Sequence, residues 1–553
     1  MNRLSYCHSL ESLMFQRILD RGFRGLHGWN RNPCWLVNIR GIREIRGSSR
    51  LGFAAAVLCL LRTVHRTCGV GARLAFLLAA CFPLAAAPPA KPNLVFILAD
   101  DLGYTDLACY GSRYYETPHL DRLAAQGMRF TSGYTCGPNC QPTRAALMSG
   151  QYGPRTGVYT VGSIDRFNWQ SRPLRPVDNV EKLAPDKITV AEALQKAGYA
   201  TGLFGKWHLG QDPQHHPRNQ GFDEAVVSMG KHFDFETNPK VDCPLGLYLA
   251  DFLTDQALDF VRRHQGRPFF LCLHHFAVHA PHQAKTNLIE HFQPKPAAGG
   301  HHDPTYAAMI ASVDESVGRL LGALDDLKLA TNTLVIFTSD NGGVGGYERE
   351  GIQGGSITDN VPLKGGKGML YEGGIRVPYI FRWTRTIAPG TTCDRPINSV
   401  DLYPTLLELA GARAEPGHPL DGASYASLLT GSGGTGPRPT PLFWHFPGYL
   451  GGGGGTWRTT PVGVIRDGDW KLLEFFETGR LELYNLREDL GEKKDLATAM
   501  PEKAKALHAN LVAWRQNVQA PMPRARTAEE RKAQGPPASK RKKAGGTQGH
   551  TAR

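Results

Sequence analysis

The stretch LVFILADD, residues 94–101, decides the fold. An unbroken apolar run from Leu94 to Ala99 has strand length, and a run without alternation fits a strand buried on both faces of a parallel sheet. It stops abruptly on Asp100-Asp101. TLVIFTS at 333–339 repeats the arrangement and stops on Asp340-Asn341-Gly342-Gly343. Residues 268–276 (PFFLCLHHF), 200–204 and 377–381 read as further buried strands. Amphipathic segments lie between them. Residues 118–127 place Leu120, Leu123 and Ala124 on one face, with Thr117 as cap and Gly127 as stop. Residues 188–197 repeat that pattern behind Thr189. Segments 251–264, 306–329 and 402–410 complete the set; in the long one Ile310, Val313, Val317, Leu320, Leu321 and Leu324 share a side. Such alternation predicts an α/β fold, a central mixed and mostly parallel sheet sandwiched by helices.

The texture changes after about residue 430. Gly431, Gly433, Gly434 and the glycine run 451–455 mark loops. Short strands at 462–466, 470–475 and 481–486 follow, separated by turns such as Asp467-Gly468, and a helix at 501–516 closes the pattern. This predicts a small C-terminal antiparallel sheet with a helix.

The chain has 553 residues, 41% of them hydrophobic, and a formal net charge of +13. That is enough apolar material for a large core, and it excludes a wholly disordered chain, a collagen-like fibre and a disulfide-dense miniature. The charge sits at the ends: residues 1–73 carry +9, residues 521–553 carry +7, and the body between them carries −3. A slightly acidic body is a poor match to a nucleic-acid backbone, so no nucleic-acid partner is expected. Residues 74–90 (LAFLLAACFPLAAAPPA), preceded by Arg73, have the charge, apolar core and small residues of a signal peptide. The protein is therefore expected to be exported. Leu78-Ala79-Ala80-Cys81 gives a second reading, a lipid anchor at Cys81. About seventy residues ahead of a signal peptide are unusual, which places the expected translation start near Val70. The expected organisation is a leader at 1–90, a catalytic domain at 91–435, an α+β subdomain at 436–518 and a disordered basic tail at 519–553.

In α/β sheets ligands bind beyond the carboxyl ends of the strands. Asp100, Asp101, Asp340 and Asn341 stand there, and three carboxylates with an amide oxygen suit a hard divalent cation. The alternative is that both pairs are turn formers. Cys140-Gln141-Pro142-Thr143-Arg144 precedes a helical stretch. A cysteine at a helix N-terminus sits where anions are stabilised, and Arg144 adds a fork of donors for a tetrahedral oxyanion. Its alternative is a buried structural cysteine. Lys206 and His208 stand two apart, and on a strand they would share a face while Trp207 points into the core.

These residues carry a resemblance. Cys140-x-Pro142-Thr143-Arg144-Ala-Ala-Leu-x-x-Gly resembles the signature of the formylglycine-dependent (type I) sulfatases, and Gly205-Lys206-Trp207-His208-Leu209-Gly210 resembles the second signature of that family. The likeness runs from about Asn93 to Gln516 and implies an alkaline-phosphatase-like fold and an arylsulfatase-like sulfuric ester hydrolase. It further implies that a separate maturation enzyme oxidises Cys140 to formylglycine, whose geminal diol is the nucleophile. Asp100, Asp101, Asp340 and Asn341, together with residue 140, would bind one divalent cation, Ca2+. Arg144 would orient the diol. Lys206 and Lys367, the latter in Gly365-Gly366-Lys367-Gly368, would face the sulfate or the leaving oxygen. His208 would take a proton from the second hydroxyl, and His282 would protonate the leaving alcohol. Among His274, His275, His279 and His282, His282 matches the family position best. Thr143 stands where many members have serine, and Gln283-Ala284 departs from the family's usual proline. Glu372 reads as structural.

The expected substrate is an aryl or carbohydrate sulfate, a small molecule or a polysaccharide. His445 and Tyr449 are candidates to reach the site from the small subdomain. Two other readings stay open at this point: a phosphoester hydrolase of the same superfold, and a catalytically retired carbohydrate-binding homologue.

Overall fold

The computed structural model describes residues 91–431, 438, 440–451 and 456–532. The leader, including the signal-peptide and Cys81 readings, lies outside the described residues.

The central sheet has eight strands: β1 (Asn93–Ala99), β2 (Met128–Phe130), β3 (Ala200–Gly205), β4 (Glu224–Val227), β5 (Phe269–His274), β6 (Thr333–Ser339), β7 (Tyr379–Arg382) and β8 (Thr391–Cys393). Their order is β8-β2-β7-β6-β1-β5-β3-β4. From β6 to β4 all neighbours run parallel, and β7 is antiparallel to both β6 and β2. The sheet is thus mixed and mostly parallel, as the uninterrupted apolar runs require. β2, β4 and β8 escaped the sequence reading because runs of three or four residues carry too little pattern.

Residues 94–99 of β1 are all at 0% exposure. Val95 and Ile97 join one hydrophobic cluster with α1 (Pro118–Ala125), α4 (Leu249–His264) and α5 (Pro304–Asp326). Leu94, Phe96 and Leu98 join another with α2 (Cys140–Ser149), α3 (Val190–Lys196) and α6 (Leu402–Ala410). The period-two alternation of a strand feeds two separate cores, which is why both of its faces are apolar.

Helix ends are held in different ways. Thr189 caps α3 in a capping box with Glu192. Thr117 does not cap α1: its Oγ1 accepts from the Ala108 amide and donates to Asp121. The open amides of His119 and Leu120 are satisfied instead by the carboxylate of Asp314 on α5, at 3.1 and 2.8 Å. No sequence-local rule identifies a cap supplied from so far along the chain.

The C-terminal region forms a four-stranded antiparallel sheet in the order β9 (Leu442–Phe446), β10 (Val462–Asp467), β11 (Trp470–Phe475), β12 (Arg480–Asn485). Helix α7 (Pro501–Asn517) packs Ala504, Leu507 and Leu511 on Ile465, Leu472 and Leu483. The tail expected to be disordered from 519 is structured over its first part. Arg524–Ala525 pairs with Leu174–Arg175 as a short antiparallel ladder, and Ala528–Lys532 is helical. A basic composition does not reveal a two-residue pairing partner so far back along the chain.

Candidate active site

The site forms because four parallel neighbours end side by side. In register, Ala99 of β1 lies beside Ser339 of β6, Leu98 beside His274 of β5, and Gly205 of β3 beside His274. The next residues of each strand therefore meet: Asp100-Asp101, Asp340-Asn341, Lys206 and the turn to His279. Gly205 at φ +117° makes the exit of β3 workable, since a Cβ there would come within 1.9 Å of the His274 carbonyl oxygen.

Helix α2 packs on the sheet face that carries Leu94, Phe96 and Leu98. It begins at Cys140 itself, somewhat earlier than the sequence suggested, and every residue in it is buried. Arg144 is one turn on from Cys140 and so shares its face. The Arg144 guanidinium donates to Asp340 Oδ2 through Nε at 2.9 Å and NH2 at 2.7 Å, and through NH1 to the Lys206 carbonyl at 2.7 Å. Lys206 Nζ lies 2.5 Å from Asp100 Oδ2. Lys367 Nζ donates to Asp101 Oδ2 at 2.7 Å. Lys367 is delivered by its backbone: its amide donates to the Gly343 carbonyl, and the next amide, of Gly368, donates to Pro138 O, tying this loop to both the Asn341 turn and the Cys140 loop.

Three buried carboxylates are thus matched by three cations. Lys206, His279 and Arg144 hold the Asp100 carboxyl below its ordinary range against its burial, and Lys367 and His279 do the same for Asp101. Asp340 is pushed up to about 6 by burial and by the charge of Asp100. Burial raises the Cys140 thiol against the pull of Lys206 and Lys367. Burial, with Lys206 and Arg144, lowers His208 to about 2, which keeps its imidazole neutral.

The donor set fits a cation. Asp100 Oδ1 and Asn341 Oδ1 are buried and have no hydrogen-bond partner. Ligand atoms of Asp100, Asp101, Cys140 and His279 all lie within 4.8 Å of one another. Hard oxygens in a dry site that hydrogen bonds leave unsatisfied are what a divalent ion satisfies.

A cavity of about 350 Å³ opens over this cluster, lined by Cys140, Lys206, His208, His279 and Lys367 among others. Lys206 and His208 follow β3 rather than lie on it; His208 has φ +65°, and both still reach the cavity. Trp207 is buried in the core as expected.

The assignment of His282 is corrected. His279 lines the cavity, with Nε2 at 3.6 Å from Asp101 Oδ2, and its Nδ1 donates to the Ala280 carbonyl at 2.6 Å. His282 packs edge-on to Tyr306, ring centroids 6.1 Å apart, and does not line the cavity. Sequence order cannot tell which member of a histidine-rich turn faces inward. His445 and Tyr449 are corrected as well: His445 bonds the Pro521 carbonyl, Tyr449 bonds Glu477, and neither lines the cavity. Their neighbours do, in Leu450, Gly451 and Arg458, as do Arg166, Phe167 and Met229. The sequence carried no signal for these.

The sulfatase family profile matches residues 92–412, and a profile described as N-sulphoglucosamine sulphohydrolase, C-terminal, matches residues 366–517. A protein described as a sulfatase from Formosa agariphila is 34% identical over 505 residues, covering 77% of this chain and 88% of its own length. The dog (Canis lupus familiaris) N-acetylgalactosamine-6-sulfatase is 35% identical over 399 residues, covering 68% of this chain and 72% of its own. The crystal structure of Ps i-CgsB in complex with k-i-k-neocarrahexaose superposes with a TM-score of 0.64 at 30% identity, covering 79% of this chain and 96% of that one. By its sequence, its mixed sheet and these relatives, the chain belongs to the sulfatase family, enzymes of the alkaline phosphatase-like superfamily.

Proposed function

We propose that the protein hydrolyses the sulfate ester of a carbohydrate, with residue 140, oxidised from cysteine to formylglycine, as the attacking group and Ca2+ as the bound cation. The observation that carries the reading is the meeting of Cys140 with three cation–carboxylate pairs under one cavity. A relative named N-acetylgalactosamine-6-sulfatase and a neighbour solved with k-i-k-neocarrahexaose support a carbohydrate substrate, and a mouse relative named steryl-sulfatase, 32% identical over 447 residues, makes a steroid sulfate the second reading.

Asp100, Asp101, Asp340 and Asn341, beside position 140, would hold the cation. Bound there it would supply positive charge against the sulfate oxygens, and formylglycine would supply a hydrated aldehyde whose hydroxyl is the nucleophile. The charges favour this: three carboxylates and three cations balance, so a divalent ion leaves the site positive for an anionic ester.

The chain's own side chains then divide the work. Lys206 and Lys367 hold the sulfate oxygens and neutralise charge as the bond from sulfur to the ester oxygen breaks. Arg144 orients position 140. His279, acting as the imidazolium with its Nδ1–H held on the Ala280 carbonyl, gives the Nε2 proton to the leaving alcohol oxygen and is left neutral. His208, neutral by burial, takes a proton from the oxygen at position 140. Export and a separate maturation enzyme belong to the same reading.

Peptide mass spectrometry of residue 140 from the native host, with parallel assays of an aryl sulfate and an aryl phosphate, tests it. Formylglycine at 140, faster sulfate turnover, and a folded but inactive Cys140→Ala variant are expected. Unmodified cysteine with undiminished turnover overturns the mechanism.

A further inference from the structure

The cavity holds more positive charge than cleavage of one sulfate needs. Arg144, Lys206 and Lys367 are each engaged by a buried carboxylate. Arg166 and Arg458 line the same cavity, and among the described residues neither has an acidic partner within ion-pair distance. We propose that Arg166 and Arg458 form a second anion site beside the sulfate site, so that the substrate is a saccharide carrying a further sulfate or carboxylate next to the ester that is cleaved. This deepens the sulfatase reading of the cavity and rests on it.

Both guanidinium groups are set in place by aromatic rings. Arg458, in the short strand Trp457–Thr459, lies 4.1 Å over the ring of Tyr347. The Tyr347 hydroxyl donates to the Lys367 carbonyl at 2.9 Å, so the ring that supports Arg458 also steadies a cation of the sulfate site. A Cβ placed on Gly368 would stand 3.3 Å from Arg458 Cδ, which puts this arginine directly beside the Lys367 loop. Arg166 lies 4.7 Å over the ring of Phe167. A guanidinium stacked on a ring keeps its edge donors free for the paired oxygens of a sulfate or carboxylate.

The second observation is an unmet donor. Arg458 Nε is buried and has no hydrogen-bond partner. That atom is shielded, so among the described residues the guanidinium is held by the Tyr347 ring, and its outer edge is what an oxyanion in the cavity would meet. Burial also lowers the Arg166 guanidinium from its ordinary value, a shift that a bound anion reverses. The cavity, at about 350 Å³, is larger than one sulfate and has room for the sugar that would carry the second group.

Lining alone separates this site from the first. Cys140, Lys206 and Lys367 come from the strand ends, α2 and the Gly365–Gly368 loop. Arg166 comes from the short helical turn Ile164–Arg166, and Arg458 from the hairpin that pairs Leu450–Gly451 with Trp457–Thr459. Both segments lie outside the strand ends and the helix that carry the chemistry, and loops of this kind are where substrate preference is expected to reside.

The test is calorimetric binding to the full chain carrying Cys140→Ala, which blocks turnover. Three disaccharides are compared: one with a single sulfate, one with a second sulfate on the neighbouring sugar, and one with a carboxylate there instead. The expected result is that a second anion tightens binding by about tenfold or more. That gain should shrink towards one in Arg458→Gln and in Arg166→Gln, and be partly kept in Arg458→Lys. Thermal unfolding checks that each variant is folded. The arm that shows the larger gain identifies the second group as sulfate or carboxylate. Equal affinity for all three ligands, or a gain that survives both glutamine substitutions, overturns the proposal. The sulfatase reading fails separately, as absent aryl sulfate turnover by the unsubstituted chain, and the binding ratios remain readable in that case.

Discussion

Arg144 reaches across from helix α2 to seat two of its donors, Nε and NH2, on one oxygen of Asp340, at 2.9 and 2.7 Å. The remaining terminal nitrogen of the same guanidinium, Nη1, donates to the carbonyl of Lys206 at 2.7 Å. One side chain therefore fixes the spacing between the ends of β3 and β6 and the first turn of the helix that begins at Cys140.

Arg144→Lys should lower kcat for an aryl sulfate by about a hundredfold or more, because an ammonium cannot fill both positions at once. Steady-state kinetics check this, alongside mass spectrometry to show that residue 140 is still processed. A variant with near-normal kcat would mean that the fork is dispensable.

His279→Gln and His282→Gln separate the two histidines. His279 faces Asp101 in the cavity and His282 packs on Tyr306. The first substitution should cut kcat by roughly 10²–10⁴-fold, the range of a lost general acid. That loss should be smaller for a substrate with a good leaving group such as p-nitrophenol. The second should leave kcat within a few fold.

Calcium should raise the melting temperature, since a ligand that binds only the folded state stabilises it, by about 2.7 kcal/mol at a hundred times its dissociation constant. A chelator should reverse the shift. Asn341→Leu, which removes the unpartnered Oδ1, should weaken the response. An unchanged melting curve across calcium concentrations would count against these four residues as the ion's ligands.

Lys471 joins the small sheet to the catalytic body. Its Nζ lies 2.9 Å from Glu372 Oε1 and 2.8 Å from Glu492 Oε1, with all three side chains buried. Against its burial, Lys471 with Arg376 and Arg466 holds Glu372 well below its ordinary value of 4.5, while burial and the charge of Glu372 push Glu492 up to about 7. A carboxyl raised above its unfolded value stabilises fully below pH 4.5 and loses that share as pH rises to about 7; Glu372 behaves in the opposite sense, losing its share as pH falls below 4.5. Lys471→Met removes the attraction from both acids and raises both. The variant should therefore lose about 3–5 kcal/mol near neutrality, with the deficit larger at pH 8 than at pH 5 in denaturant titrations. A deficit that shrinks with pH would reverse this account.

How much was legible in the sequence follows from the range of each interaction. Unbroken apolar runs with acidic stops at 94–101 and 333–341 fixed the strands, their parallel packing and the acids at their ends, because burial on both faces is written residue by residue. The order Cys140 to Arg144 put both on one helix face by geometry alone. Choices among equivalent neighbours were not legible. Only the fold turns His279 inward and His282 away, supplies Asp314 as the cap of α1, pairs Arg524–Ala525 with a distant edge, and brings Arg166 and Arg458 to the rim over Cys140. Local patterns specify which elements form and which face is buried. Which residues meet across more than a hundred positions is set by the packing of those elements, and there the tertiary structure decided.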